Sequence, residues 1–346
     1  MAARGERELT EPAREAGAGG GAPLRVGVVG VGALGRHHVR LLTGLDGVEL
    51  AGIHDLRPEI AESVASEFGT RALPSLDALA SLAEAMVVAV PTVSHAEVAG
   101  ELLDRGLHVL VEKPITPDLE SADRLIERAG DRVLAVGHVE FYNPAVQALL
   151  ALEPRPRFIE VQRLSVFGSR SLDIDVILDL MIHDLQILHT LDPSPVREVR
   201  AAGVAVLSDR LDIANARVEL ESGCVANLTA SRVSAERVRK LRLFSRERYF
   251  SLDYQEQTLK GYRLEDGGAV ASARGDAPAG QAGGAGRRIA ALDLSVAREE
   301  PLRRELEAFA AACRRRAVAY VDGARGRAAL RSALAIAGAV GRRGSA

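Results

Sequence analysis

Residues 24–35, Leu-Arg-Val-Gly-Val-Val-Gly-Val-Gly-Ala-Leu-Gly, decide the fold class of this 346-residue chain. The apolar run that ends at Val29 predicts a buried strand, and the apolar spacing that continues through Leu42 predicts a helix. Between them three glycines have the G-x-G-x-x-G spacing of a dinucleotide-binding turn. They are Gly30, Gly32 and Gly35.

Each position of this turn requires glycine for a different steric reason. The first allows a tight turn, the second lets the backbone approach a pyrophosphate, and the third lets the helix pack closely against the strand. Free N–H groups at the start of the helix, where Ala33 and Leu34 lie, then bind the anionic pyrophosphate. Without further context such a turn also occurs in other α/β units, so the strand before it and the helix after it carry the prediction.

An acidic residue supports the same interpretation. Asp55 ends the next apolar strand, twenty residues after Gly35. A carboxylate at this point binds a ribose 2′-hydroxyl and repels a 2′-phosphate, so we expect NAD as the cofactor. Arg57 lies two residues further on and partly offsets this charge, which leaves NADP disfavoured but open.

Strands and helices alternate from residue 24 to about residue 137, and this rhythm predicts an α/β Rossmann domain with a doubly wound parallel sheet. Ligands of such sheets bind beyond the carboxyl ends of the strands, so the loops at these ends converge on one crevice. The candidate cofactor-binding residues in those loops are Pro91, Thr92, His95, Glu112, Lys113 and His138.

The rhythm changes after residue 140. Residues 196–262 contain several short alternating strands, and Glu221-Ser222-Gly223 marks a hairpin turn between two of them. We therefore predict an α+β C-terminal domain with a large, mostly antiparallel open sheet. Such a sheet is often covered by a second copy of itself, which predicts a homodimer or homotetramer. The expected segments are a disordered extension at 1–23, an NAD-binding domain at 24–140, and a substrate-binding and oligomerisation domain at 141–346 with a mobile loop at 266–287.

The composition excludes several classes of protein. The net charge of −3 gives no basic field that would attract nucleic acid or an acidic membrane. No apolar run reaches the ~18 residues of a membrane span, and residues 1–23 lack the hydrophobic core of a signal peptide. Cys224 and Cys313 stand far apart, and no His, Cys, Asp or Glu set has metal-ligand spacing. We expect a cytoplasmic enzyme without a metal or a disulfide.

Three residues could carry proton chemistry. Lys113 follows a buried strand and precedes a proline, so its ammonium projects from a fixed backbone; the alternative is a solvated loop lysine. Asp179 and His183 are four residues apart in an apolar helical segment and share one helix face. The alternative is a surface ion pair or a structural core histidine, which is the commoner origin of such a pair. If the pair is functional, the imidazole removes a proton and the carboxylate orients it, with the neighbouring Asp184 as a substitute for either.

The motifs together resemble the Gfo/Idh/MocA oxidoreductases. The glycine turn, Pro91-Thr92-x-x-His95, Glu112-Lys113-Pro114 and Asp179-x-x-x-His183-Asp184 follow one another in the order and spacing of that family, over about residues 24–342. Family members oxidise a sugar or polyol hydroxyl reversibly with a nicotinamide cofactor. The resemblance implies that Lys113 contacts the reacting hydroxyl and the cofactor, that His183 is the acid/base and that Asp179 supports it. The expected substrate-binding residues are Lys113, Tyr142, Asn143, Arg163, Asp175, Asp179 and His183.

Several segments look like the sugar-nucleotide branch of this family, whose members oxidise the 3-hydroxyl of UDP-N-acetylglucosamine ahead of a transaminase in lipid A amino-sugar synthesis. They include Gly137-His138-Val139-Glu140 and the residues from Asp173 to Asp184. That branch has an arginine after Glu140, where this chain has Phe141. The matching segments imply NAD-dependent oxidation of the 3-hydroxyl of a UDP-N-acetyl-hexosamine, and Phe141 is a departure from the pattern that implies it. The alternatives are a dehydrogenase of a free sugar or inositol, and a non-catalytic NAD-binding sensor with the same fold.

Overall fold

The computed structural model describes residues 22–168, 174–266 and 287–344. Nearly all of the predicted disordered extension (1–23) and of the predicted mobile loop (266–287) lies outside the described residues. The N-terminal part is a five-stranded parallel sheet with the order β2-β1-β3-β4-β5. Its strands are β1 (Leu24–Val29), β2 (Val48–His54), β3 (Ala85–Val88), β4 (His108–Glu112) and β5 (Leu134–Gly137).

Helices cover both faces of this sheet, because its strands carry apolar side chains on both sides and each face must be shielded from water. β1, β3, β4 and β5 are almost entirely buried along their length. The sheet is thus the doubly wound Rossmann fold that the alternating rhythm predicted. The covering helices are α1 (Gly35–Leu42), α2 (Pro58–Phe68), α3 (Leu76–Ala80), α4 (His95–Asp104) and α5 (Leu119–Ala129).

The C-terminal part is an eight-stranded open sheet with the order β13-β12-β11-β10-β6-β9-β8-β7. Only β6 and β9 pair in parallel; the other neighbours are antiparallel, as predicted. The strands are β6 (Phe158–Leu164), β7 (Val196–Val204), β8 (Ile213–Leu220), β9 (Val225–Ser231), β10 (Val238–Phe244), β11 (Arg248–Asp253), β12 (Thr258–Asp266) and β13 (Arg287–Leu292).

The sheet contains the predicted hairpin at Glu221-Ser222-Gly223 and a second hairpin. β8 and β9 pair antiparallel across residues 221–224, and β10 pairs with β11 across residues 245–247. The inner face of the sheet is apolar and packs against α6 (Pro144–Ala151), α7 (Ile182–Leu191) and α9 (Gly323–Gly344), whereas the outer face carries polar and aromatic side chains. This alternation is typical of an antiparallel sheet with a single buried face.

The predicted helical segment that contains Asp179 and His183 has an irregular first turn. Residues Ile177–Met181 form a π-helical turn, and regular α-helix begins only at Ile182. Single π-turns of this kind are frequent at functional sites, since they re-aim side chains without ending the helix. Here the π-turn carries Asp179, and the first α-helical turn carries His183.

The C-terminal helices connect the two sheets. Helix α8 (Pro301–Cys313) buries Leu306 and Phe309 in the core of the Rossmann sheet, and α9 packs against both α5 and β7. The predicted division at residue 140 therefore separates the two sheets, but α8 lies on the first of them. No helix among the described residues has the length and apolar character needed to cross a membrane.

Candidate active site

In the turn between β1 and α1, the backbone geometry explains why the first and third residues are glycines. Gly30 has a φ of +80°, and a Cβ on Gly35 would lie 1.9 Å from the Gly30 carbonyl oxygen. Strand and helix could not approach so closely with any other residue at position 35. A Cβ on Gly32 would meet no atom within 4 Å, so its backbone faces open space. Among the described residues no side chain caps the N-terminus of α1, so no side chain competes with an anion there.

Asp55 closes the other side of this turn. Its Oδ2 accepts a hydrogen bond from Val31 N at 3.0 Å, and its Oδ1 accepts one from Arg57 N at 3.0 Å. The carboxylate is thus fixed beside the glycine turn by the backbone, while the guanidinium of Arg57 is largely exposed. Open backbone at Gly32, an uncapped helix and a fixed acid fit the diphosphate and ribose of a dinucleotide.

A buried polar contact lies under the carboxyl end of β4. Glu112 Oε1 lies 2.7 Å from His38 Nε2, and Glu112 Oε2 accepts the backbone N–H of Lys113 at 3.2 Å. Gly137 makes room for this carboxylate, since a Cβ there would lie 2.8 Å from Glu112 Oε2. The peptide bond between Lys113 and Pro114 is cis. Glu112 thus holds the backbone from which the Lys113 side chain leaves the sheet.

The Lys113 ammonium joins the two parts of the chain. Its Nζ donates to the Asp179 backbone oxygen at 2.7 Å and to Asp179 Oδ1 at 3.0 Å. Both side chains are mostly buried but retain some exposure. The π-helical turn and the end of β4 are therefore connected by a charge-assisted contact at the boundary between the two sheets.

His183 lies beside this pair. Its ring packs edge-on against the ring of His138, with the centroids 5.7 Å apart. Burial lowers the pKa of His183 well below its usual value, and the neighbouring Lys113 and Arg163 lower it further. Burial and Lys113 likewise lower the pKa of His138 to about 3. Both imidazoles are therefore neutral near pH 7, and a neutral imidazole can accept a proton.

Behind His183 lies a buried network of charges centred on Arg163. Arg163 Nε and Nη2 both donate to the carboxylate of Asp184 at 2.8 Å, and Nη1 donates to Glu140 Oε1 at 2.7 Å. The guanidinium also lies 4.9 Å from the centre of the Tyr254 ring. Through this network β6 holds both α7, which carries His183, and the short turn that follows His138.

Comparison with known proteins agrees with this geometry. The model of the Gfo/Idh/MocA oxidoreductase family, NAD-binding Rossmann fold, matches residues 24–138. The chain is 42% identical to the UDP-N-acetylglucosamine 3-dehydrogenase of Acidithiobacillus ferrooxidans, over 92% of this chain and 97% of the relative. The chain belongs to the Gfo/Idh/MocA family. The predicted family is thereby confirmed, and with it an NAD-binding oxidoreductase.

Two solved structures share the architecture of this chain. The crystal structure of the A. ferrooxidans enzyme, GnnA, superposes with a TM-score of 0.81 at 40% identity and covers 92% of this chain and 98% of that chain. The WlbA dehydrogenase of Bordetella pertussis, solved with NADH and UDP-GlcNAcA, has a TM-score of 0.71 at 19% identity, with 93% and 97% covered. At that identity the second likeness concerns the fold alone.

Four residues predicted to contact ligands of this Gfo/Idh/MocA site do not face it, and these predictions are corrected. Arg163 is fully buried in its ion pairs, and His95 has one ring nitrogen near Pro114 O and the other near Val90 O. Tyr142 is buried with its hydroxyl accepting the N–H of Val321. Asn143 donates to Tyr254 O and caps α6. The polar groups of these four residues contact other protein groups, so the residues support the structure around the site and do not contact a ligand.

The remaining predicted residues lie around the cleft or support it. Pro91 and Thr92 follow β3, and Ala33 and Leu34 of the glycine turn are exposed. Asp175 Oδ1 accepts the N–H of Leu211 at 3.1 Å and so anchors the start of the π-helical segment. Phe141 is buried against Tyr142, and its side chain points into the core. No cluster of three or more metal-ligating side chains occurs within the part of the chain that the structure describes.

The sequence reasoning missed Glu140 and Arg239, which complete the network around Arg163. A signal for the arginines was present in the strand pattern. Arg163 follows the inward-facing Ile159 and Val161 of β6, and Arg239 precedes the inward-facing Leu241 of β10. A charged residue at an inward position of an alternating strand requires a buried partner of opposite charge, so the pattern itself predicts an ion-pair network there.

Proposed function

We propose that this protein is an NAD-dependent dehydrogenase that oxidises the 3-hydroxyl of a UDP-N-acetyl-hexosamine, with UDP-N-acetylglucosamine as the substrate. The observation that carries the proposal is the neutral, buried His183 beside the Lys113–Asp179 pair, at the carboxyl edge of a dinucleotide-binding sheet. The 42% identity to an enzyme named for this reaction supports the choice of sugar and of ring position.

The chain's own residues account for the proton chemistry. His183 is uncharged and removes the proton of the substrate hydroxyl, which is worth ~10²- to 10⁴-fold in rate. Lys113 donates to the same oxygen and stabilises the negative charge that develops on it. Asp179 holds the ammonium in place by the contact of 3.0 Å. NAD, when bound, supplies the acceptor for the hydride that leaves the sugar carbon.

Asp55 decides the choice between the two nicotinamide cofactors in this proposal. The backbone fixes its carboxylate next to the glycine turn, so a 2′-phosphate would meet a negative charge that cannot turn away. Arg57 Nε lies 3.4 Å from Asp55 Oδ1 and weakens this repulsion only in part. We therefore propose NAD rather than NADP.

Two further parts of the proposal concern the setting of the reaction. We place the product, a 3-keto sugar nucleotide, ahead of a transaminase in lipid A amino-sugar synthesis, in the cytoplasm. We also propose a homodimer or homotetramer formed through the outer face of the C-terminal sheet. On that face the rings of Phe158, Phe244, Tyr249 and Tyr262 follow one another across four strands at centroid distances of 4.9–6.0 Å.

The activity is tested by following reduced nicotinamide with a panel of UDP-N-acetylglucosamine, UDP-glucose, N-acetylglucosamine and myo-inositol, each with NAD and with NADP. The proposal expects UDP-N-acetylglucosamine with NAD to give the highest kcat/KM. Turnover with free sugars or inositol alone would contradict the sugar-nucleotide substrate. NAD binding without turnover of any compound would indicate a sensor instead of an enzyme.

A further inference from the structure

Arg239 occupies an unusual position in the C-terminal sheet. It pairs in register with Arg163 of β6, so both arginine side chains project from the inner face of the sheet. Arg163 is fully buried, whereas 33% of the Arg239 side chain is exposed to solvent. Arg239 thus lies at the edge of the buried network and is partly exposed to solvent.

The charge of Arg239 is incompletely balanced. Its Nη1 lies 3.7 Å from Glu140 Oε1, which is beyond hydrogen-bond distance, and Arg163 already donates to that same oxygen at 2.7 Å. Within the described residues the buried Nε of Arg239 has no hydrogen-bond partner. Burial and the neighbouring Arg163 and Arg237 lower the pKa of Arg239, as expected for a cation that lacks a full counter-ion.

The same guanidinium is close to the proposed reaction centre. Arg239 is one of the cations that lower the pKa of His183. Its nearest carboxylate, Glu140, follows two residues after His138, whose ring contacts that of His183. Arg239 belongs to the C-terminal sheet, whereas the glycine turn that fits the dinucleotide belongs to the Rossmann sheet. An anion that contacts it there would belong to the substrate.

We propose that Arg239, with the exposed Arg237 beside it, binds the diphosphate group of the nucleotide-sugar substrate and so selects charged over uncharged sugars. This inference rests on the function proposed above. The exposed part of a planar guanidinium can donate to phosphate oxygens, and an entering anion balances the charge that Glu140 leaves uncompensated.

The test compares Arg239→Gln and Arg239→Lys with Arg327→Gln as the control. Arg327 is also partly buried and paired with a carboxylate, Asp123, but it lies on α9 away from the site. We expect R239Q to raise the KM for UDP-N-acetylglucosamine by ~10- to 100-fold, the effect of a lost charge-assisted hydrogen bond. The inhibition constant of UDP should rise in parallel. The kcat and the KM for NAD should change by less than about threefold. The contact with the diphosphate is equally strong in the ground state and the transition state, so its loss weakens substrate binding without slowing the reaction step.

Two outcomes separate this inference from the function on which it rests. If wild-type protein does not oxidise UDP-N-acetylglucosamine, the proposed function fails. If wild-type protein does oxidise it, but R239Q and R239K raise its KM and the inhibition constant of UDP no more than R327Q does, the role of Arg239 fails alone. R239K keeps the charge and the fold, so a rise in KM smaller than that of R239Q supports the phosphate contact. A melting temperature within a few degrees of wild type confirms folding.

Discussion

At the scale of single residues, the site depends on keeping two histidines uncharged. His138 and His183 are buried side by side, and the Lys113 ammonium next to them opposes a second positive charge. A neutral His183 is the form that removes a proton, so we expect the acid limb of kcat/KM for oxidation to lie below pH 6.5. The same burial has a cost in stability at low pH.

His138 makes this cost measurable. Its pKa is about 3 in the folded protein and near 6.5 in the unfolded chain, so below pH 6.5 the unfolded state binds a proton that the folded state refuses. Stability is complete above pH 6.5 and falls as the pH drops towards 3. Between pH 7 and pH 5 the loss from this residue is about 2 kcal/mol.

Urea unfolding at pH 7 and pH 5 checks this value. We expect His138→Leu to lose about 2 kcal/mol less stability than wild type between the two pH values, because the titrating group is absent. The other buried histidines contribute equally to both proteins and cancel in the comparison. Equal losses in the two proteins would show that His138 is accessible to protons in the folded state.

Arg163 gives a second prediction at this scale. Replacing it with methionine leaves Asp184 and Glu140 buried without their partner, and we expect a loss of about 3–5 kcal/mol in the free energy of unfolding. Arg327→Met, which removes a more exposed pair, should cost about 1 kcal/mol or less. Combining R163M with Asp184→Asn and Glu140→Gln should recover part of the loss. Similar costs for R163M and R327M would contradict a buried network.

At the scale of elements, most of the architecture could be predicted from residue patterns. The alternation of strands and helices before residue 140 and the hairpin at Glu221-Ser222-Gly223 are local features, and the structure contains both. The π-helical turn at Ile177–Met181 could not be foreseen, because apolar residues fill the segment on every side and conceal its period. Arg163 was misassigned for a related reason: its partners come from two other elements, and their approach depends on the tertiary fold.

The glycine turn allows a matched test of strand–helix packing. Gly35→Ala would place a methyl group 1.9 Å from Gly30 O, so α1 must move away from β1. We expect G35A to lower stability and to weaken NAD binding together. Gly32→Ala meets no atom of the protein and should leave the melting temperature unchanged while NAD affinity falls. Equal melting temperatures for G32A and G35A, measured by differential scanning fluorimetry, would contradict this packing.

At the scale of the whole molecule, the two sheets and the helices between them build one site. Lys113 comes from the first sheet, while Asp179 and His183 come from helices that pack on the second. The motifs in the sequence indicated these three residues. They could not show which other polar side chains face the cleft and which are buried against other parts of the protein. Whether a polar side chain meets substrate or protein depends on neighbours that are distant in the chain.

The outer face of the C-terminal sheet provides a prediction about assembly. If a second copy covers the aromatic row, a charge at its centre should separate the copies. We expect Tyr249→Glu to convert the homo-oligomer into a monomer, as seen by sedimentation velocity, while Arg124→Glu on the exposed surface of α5, in the Rossmann part, serves as the control. A wild-type protein that sediments as a monomer at micromolar concentration would contradict the proposed assembly.

The central claim is that His183 and Lys113 remove the hydroxyl proton while the hydrogen on the same sugar carbon passes to NAD. The most direct measurement uses UDP-N-acetylglucosamine carrying deuterium at C3, followed by NMR of the reduced nicotinamide. We predict that wild-type protein transfers the deuterium to the nicotinamide ring, and that His183→Ala slows the transfer by ~10²-fold or more while still binding NAD. Deuterium retained on the sugar, or transfer by H183A at the wild-type rate, would contradict the account.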